Sequence, residues 1–226
     1  MNGIRSWRRR VFSGGGAARW SLPLALMALL GACSLPGREE PVASHTYLLQ
    51  GSGQAPVAPP GAARKCLSLR VAPGSAAPGF ATARMAYLEQ AGRLDYFAYH
   101  EWVGAPAGML SSLIVQALDT SGLFGAVISG SPEIRTDLRL DSELLYLRQD
   151  FRGSAGVLDL GVSINLVDVR NRSLLGTKRF DHAVATRAAD PEAGVAAANR
   201  AADDFVRELV DYLAASIADI DCSAPG

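Results

Sequence analysis

The sequence has no apolar run long enough to span a bilayer. Its most apolar stretch, Trp20 to Leu30, contains Ser21 and Pro23 and falls well short of the roughly 20 residues a transmembrane helix needs. Histidine is scarce: His45, His100 and His182 are the three, and no pair stands at metal-ligand spacing. His100-Glu101 lacks a second histidine four residues on, which excludes a zinc helix. No Gly-x-Ser-x-Gly elbow, P-loop or dinucleotide fingerprint is present, and Gly14-Gly15-Gly16 lies inside a basic leader. Paired carboxylates such as Asp203-Asp204 read as solvated. The expectation is a protein that is not an enzyme, with no metal site and no dissociable cofactor. Net charge is also absent, with 22 basic against 22 acidic residues. Five of the arginines belong to the first 32 residues, which leaves 17 basic against 22 acidic beyond them. A mildly acidic chain is a poor partner for nucleic acid, and it lacks a polybasic membrane patch.

What is present begins with the leader. Arg5, Arg8, Arg9, Arg10 and Arg19 precede the short apolar run, which ends in Leu30-Gly31-Ala32-Cys33. A basic region, a short apolar segment and small residues before a cut form an export signal. Leu-Gly-Ala-Cys resembles the bacterial lipobox, which implies cleavage between Ala32 and Cys33 and a covalent diacylglyceryl group and acyl chain on Cys33. Residues 1–32 then form a lipoprotein signal peptide and 33–45 a polar, turn-rich tether. Arg9-Arg10-Val11-Phe12 also resembles part of a twin-arginine motif, so the export route stays open. Ser34 follows the cysteine, where Asp would resemble an inner-membrane retention signal; this favours the outer membrane.

Cys66 and Cys222 remain as an even pair in a chain bound for an oxidising compartment. A bridge between them would close a loop of more than 150 residues, and two unpaired thiols are the alternative.

The periodicities predict an α+β fold: a mostly antiparallel sheet with two amphipathic helices packed on one face. Residues 46–222 form the single domain, with 51–63 an internal Pro/Gly linker and 223–226 a tail. His45–Gln50 is a short strand. In Cys66–Ala72, Leu67, Leu69 and Val71 alternate with Ser68 and Arg70, the pattern of a half-buried strand. Pro73–Gly79 reads as a loop, and Arg84–Glu89 with Leu94–Val103 as a hairpin. Pro106 opens a helix whose stripe is Leu110, Leu113, Ile114, Ala117 and Leu118, stopped at Ser121-Gly122. Thr136–Asp150, Gly156–Arg170 and Leu174–Thr186 form an antiparallel meander. In its middle strand Leu158 to Leu166 face the core, while Asp159, Ser163, Asn165 and Asp168 face water. Asp190 and Pro191 start the last helix, with Ala202, Phe205, Val206, Leu209, Val210 and Leu213 inward.

Tyr96, Tyr99 and Trp102 stand in an aromatic stretch, Leu94–Val103, which reads as a strand with one side packed under the helices or, functionally, as a partner surface, since tyrosine and tryptophan anchor interfaces. The succession of lipobox, linker, Tyr47-Leu48-Leu49, Leu67–Ala72, Arg84–Tyr87, the aromatic strand ending in Trp102, the Pro106 helix and an Ala-rich final helix resembles the ABC-type transport auxiliary lipoproteins, the PqiC/YmbA-like group. Glu101 departs from the basic residue that commonly precedes that tryptophan in the family. The resemblance implies a non-catalytic outer-membrane component of an MCE/ABC-type intermembrane lipid transport system. It would dock the periplasmic MCE assembly and, through it, an ABC transporter permease and ATPase. A homo-oligomeric ring would suit a tubular partner. The alternative is a stand-alone binder of lipid or another envelope ligand, which expects a sizeable apolar pocket between sheet and helices.

Overall fold

Leu138–Asp150, one of two strands of 13 residues, is the spine of the fold. The computed structural model describes residues 43–52, 56–130, 133–153, 156–220 and 222. The leader, Ala32, Cys33, the tether through Val42 and the tail at 223–226 lie outside the described residues. In chain order the elements are β1 (His45–Tyr47), β2 (Arg64–Val71), β3 (Ser75–Ala76), β4 (Arg84–Gln90), β5 (Arg93–Trp102), α1 (Pro106–Ser121), β6 (Phe124–Ser129), β7 (Leu138–Asp150), β8 (Val157–Asp168), β9 (Ser173–Ala185) and α2 (Pro191–Ser216).

One edge of β7 pairs antiparallel with β8 along its whole length, and β8 pairs antiparallel with β9. The other edge takes three short strands in succession, all parallel to it. β2 meets Leu138–Leu140, β3 meets Glu143 and Leu144, and β4 meets Arg148–Asp150. Beyond these, β6 lies parallel to β2, β5 antiparallel to β4, and β1 parallel to β5. The sheet is therefore mixed, where a mostly antiparallel one was expected. Short turns dictate antiparallel pairing, and those are visible in sequence. Parallel partners need long connections, and here their direction follows from segments that include α1.

Both helices pack into one core, against alternate residues of β7 and β8. Leu110, Ile114 and Leu118 of α1, and Phe205, Leu209 and Leu213 of α2, meet Leu138, Leu140, Leu158, Leu160 and Ile164. Phe180 of β9 stands edge-on to Phe205, with ring centroids 5.3 Å apart. The α2 start is capped as its sequence specifies, with the Asp190 carboxylate accepting from the Ala193 N–H at 2.7 Å. Gly122, at φ 70°, ends α1. One residue of the expected wet face is misplaced. Asp168 is buried, because it shares the parity of the core-facing Leu158 to Leu166 rather than that of Asp159.

Two strands escaped the periodicity. β3 lies in the expected loop, and β6 follows α1 directly. β6 contributes a buried Phe124 and a Gly125 that backs onto β2. A Cβ at Gly125 would collide with the Lys65 carbonyl oxygen, so the parallel β2–β6 pair requires glycine there. Gly125→Ala is expected to lower stability by about 1–3 kcal/mol, as other overpacked sites do. Urea denaturation of the purified protein checks this.

Candidate functional site

The described chain begins at Ala43 and is fastened almost at once. Tyr47 donates its hydroxyl proton to Glu192 Oε1 at 2.6 Å and lies 2.9 Å from His100 Nδ1. The His45 ring stacks on His100 at 5.1 Å. Leu49 is buried in the core, and its N–H points at the Met109 sulfur. The Gln50 N–H donates to Asn199 Oδ1 at 2.9 Å, and the Ser52 N–H to both Asp203 oxygens at 2.8 and 3.1 Å. Glu192, Asn199 and Asp203 recur at i, i+7 and i+11, hence on one face of α2. They form a polar ladder that straps residues 47–52 along the helix. Asp203 was expected simply to be solvated; it holds backbone instead.

The electrostatics suit this arrangement at neutral pH. Burial pushes the Tyr47 phenol up to about 12, and the Glu192 and Asp190 carboxylates push the same way. The Tyr47 hydrogen bond, followed by a backbone hydrogen bond, holds Glu192 below its ordinary value. A depressed folded-state pKa means that Glu192 supports the strap above the usual carboxylate range, and that this support fades as pH falls through it. Asn199→Ala with Asp203→Ala is expected to raise amide exchange across residues 48–52 at least tenfold. The cost in global stability should be about 1–3 kcal/mol, the scale of hydrogen bonds that include charged acceptors. Hydrogen-exchange mass spectrometry reads both.

The aromatic trio is split. Trp102 is 3% exposed and belongs to the core. Tyr96 is half-buried, donates to the Gly79 carbonyl at 2.9 Å and lies under the Arg84 guanidinium at 3.7 Å. Tyr99 is 49% exposed. The β4–β5 pairing shifts register twice, between Arg84 and Ala86 and between Tyr87 and Gln90, so simple alternation could not place these rings. Instead Phe97 gathers Tyr87 and Phe151, with centroids at 4.6 and 6.4 Å.

Cys66 and Cys222 are joined as a disulfide, with Cα atoms 5.7 Å apart and 156 residues between them in sequence number. Nearby, Arg64 donates to the Ala218 carbonyl at 2.7 Å and ties β2 to the segment after α2. On the sheet face away from the helices, Tyr146 lies over Gly161 and joins Asp181 and Arg179. Burial raises the Asp159 carboxyl above its ordinary value, with Arg148 opposing at 3.6 Å. These are ion pairs on a wet face, and none presents a nucleophile beside a base. Among the described residues no three His, Cys, Asp or Glu side chains are placed to hold a metal. No helix among them is long and apolar enough to cross a membrane. A cleft of about 370 Å³ opens on the surface between α1 and the ends of β2 and β6, walled by Val71, Pro73 and Val115 with Gln116 and Asp119 at its border.

Residues 47–210 match the family described as the ABC-type transport auxiliary lipoprotein component. Among curated proteins none matches the sequence. Solved structures share the fold, among them the following two. Protein XCC0632 from Xanthomonas campestris, of family DUF330, is 22% identical at a TM-score of 0.69, over 76% of this chain and 96% of that one. An uncharacterized protein is 12% identical at a TM-score of 0.58, over 75% of this chain and 97% of that one. The family match spans nearly the whole of the domain built above, from Tyr47 on the strap to Val210 on α2, and the chain belongs to the ABC-type transport auxiliary lipoprotein family.

Proposed function

We propose that this chain is a non-catalytic outer-membrane lipoprotein that docks the periplasmic end of an MCE assembly in an ABC-type lipid transport system. The observation that carries this reading is the family match across residues 47–210. Cys33 supplies the anchor through its covalent diacylglyceryl and acyl groups, and Ser34 directs it to the outer membrane. The domain then works by position. The space between sheet and helices is occupied by a continuous core that runs from Leu49 to Ile217. Among the described residues a cleft of about 370 Å³ lies at the surface rather than between sheet and helices, which favours docking over a stand-alone lipid carrier.

The test is affinity capture of the tagged, full-length lipoprotein from solubilised native envelopes. An MCE-domain protein and its permease are expected to come with it. Capture of neither, together with stoichiometric bound lipid, would replace docking with the stand-alone binder.

A further inference from the structure

The strands place the incoming chain and the β8–β9 turn at opposite ends of the sheet. β1 is parallel to β5, β5 antiparallel to β4, β4 parallel to β7, and β7 antiparallel to β8. β8 therefore runs with β1, and its far end projects away from where β1 begins. β4 meets β7 at Arg148, whereas the turn follows the Leu138–Asp168 pair. At roughly 3.3 Å per residue the separation along β7 is about 30 Å.

The turn is held rigidly. The buried Asp168 carboxylate accepts from both the Asn171 N–H and the Asn171 Nδ2, each at 2.9 Å. The Val169 N–H donates to the Asp137 carbonyl at 2.9 Å, and Arg170 lies 3.7 Å from the Asp137 carboxylate. Arg172 takes φ 54°, the left-handed region, and is the one non-glycine residue to do so among the described residues. That conformation is costly for arginine, and such strain concentrates at functional positions.

This frame presents apolar surface. Leu174 is 60% exposed, Leu175 is 36% exposed, and Val169 is exposed beside them. Arg172, and Arg135 on the segment leading into β7, make no ion pair or hydrogen bond among the described residues. The Asp137 and Asp168 carboxylates are engaged with backbone and side-chain donors.

We infer that the β8–β9 turn is the docking surface for a partner protein that offers an aliphatic cleft bordered by carboxylates. This deepens the docking role proposed above and rests on it. Unpaired arginines beside exposed leucines select acidic, apolar chemistry in the occupant, and a pre-ordered turn inserts without a further ordering cost. The position favours a protein over the anchoring membrane. The described chain enters through β1 at the other end of the sheet from the turn, and Cys33 precedes that entry in sequence.

The test uses the full-length lipoprotein in native envelopes, with capture of the MCE protein as the readout. Leu174→Asp with Leu175→Asp is expected to reduce capture about tenfold or more, the effect of removing a central apolar anchor. Arg172→Gly is expected to reduce capture severalfold while leaving the thermal midpoint unchanged or higher, because glycine accepts the left-handed conformation. Leu48→Ala, at an exposed position beside β1, is expected to leave capture unchanged. Normal capture by both turn variants would overturn this surface while leaving the docking role intact. Flotation of the unlipidated Cys33→Ala form on phosphatidylglycerol vesicles, lost only when both leucines are also replaced, with capture by the lipidated double variant unaltered, would make the occupant a membrane and overturn it too. Wild-type protein that captures no MCE component would remove the docking role and this surface together.

Discussion

Cys33→Ala is expected to yield a normally folded protein that leaves the membrane fraction and no longer supports transport. The size of this effect follows from the anchor proposed for Cys33. Burying acyl chains contributes about 0.8 kcal/mol per CH₂, so two or three chains hold far more firmly than one, whose binding is marginal and reversible. The fold should not respond. Cys33 precedes the described domain, and among the described residues the first buried in the core is Leu49. Residues 47–52 are fixed on α2 through Tyr47, Gln50 and Ser52, contacts that do not involve Cys33. Fractionation after carbonate washing, with a thermal melt of the released variant, reads the two halves separately. An unanchored protein with full transport activity would end the view that position is what the lipoprotein contributes.

The same strap shows what sequence could and could not convey. Elements whose partners are near in sequence were legible: the α1 stripe with its Gly122 stop, the Asp190-Pro191 start of α2, and the β7–β9 meander with its short turns. Period and capping are local, so they are written locally. The parallel pairs β2–β6, β2–β7 and β4–β7 were not legible, because nothing in a strand records the direction of a neighbour many residues away. Side chains that bind backbone elsewhere were missed for the same reason. Asn199 and Asp203 sit on the wet face of α2 and look solvated until residues 50–52 lie across them. Their spacing with Glu192 was the available signal, though it needed a partner strand to give it meaning. Trp102 stood between a core and a surface reading, and the two register shifts between β4 and β5 disturb the alternation that would have decided it. Asp168 was different: its parity with Leu166 already placed it inward, and the structure supplies the reason, a buried carboxylate that shapes the β8–β9 turn.

Cys222→Ser is expected to cost the domain about 4–5 kcal/mol, as much as a large core truncation. The two sulfurs join residues 156 apart, and the loss of unfolded-chain entropy grows with the logarithm of that loop. A marginal total of about 5–15 kcal/mol makes such a loss enough to unfold a large fraction of molecules near 37 °C. The folded state gives a competing expectation. Arg64 already ties β2 to the Ala218 carbonyl, Ile217 is buried, and Ile220 packs against the core. If the bridge merely repeated that local fastening, its removal would cost under about 1 kcal/mol, since the same groups would hold the C-terminal segment without it. Urea unfolding of oxidised wild type and of the serine variant separates the two. An entropic bridge lowers the midpoint steeply and also raises the slope, because the unbridged denatured chain exposes more surface. A local fastening moves the midpoint slightly and leaves the slope alone. We expect the first pattern, with reduced wild type matching the variant; a reduced protein as stable as the oxidised one would show that the Cys66–Cys222 link restrains only a few residues at the end of α2.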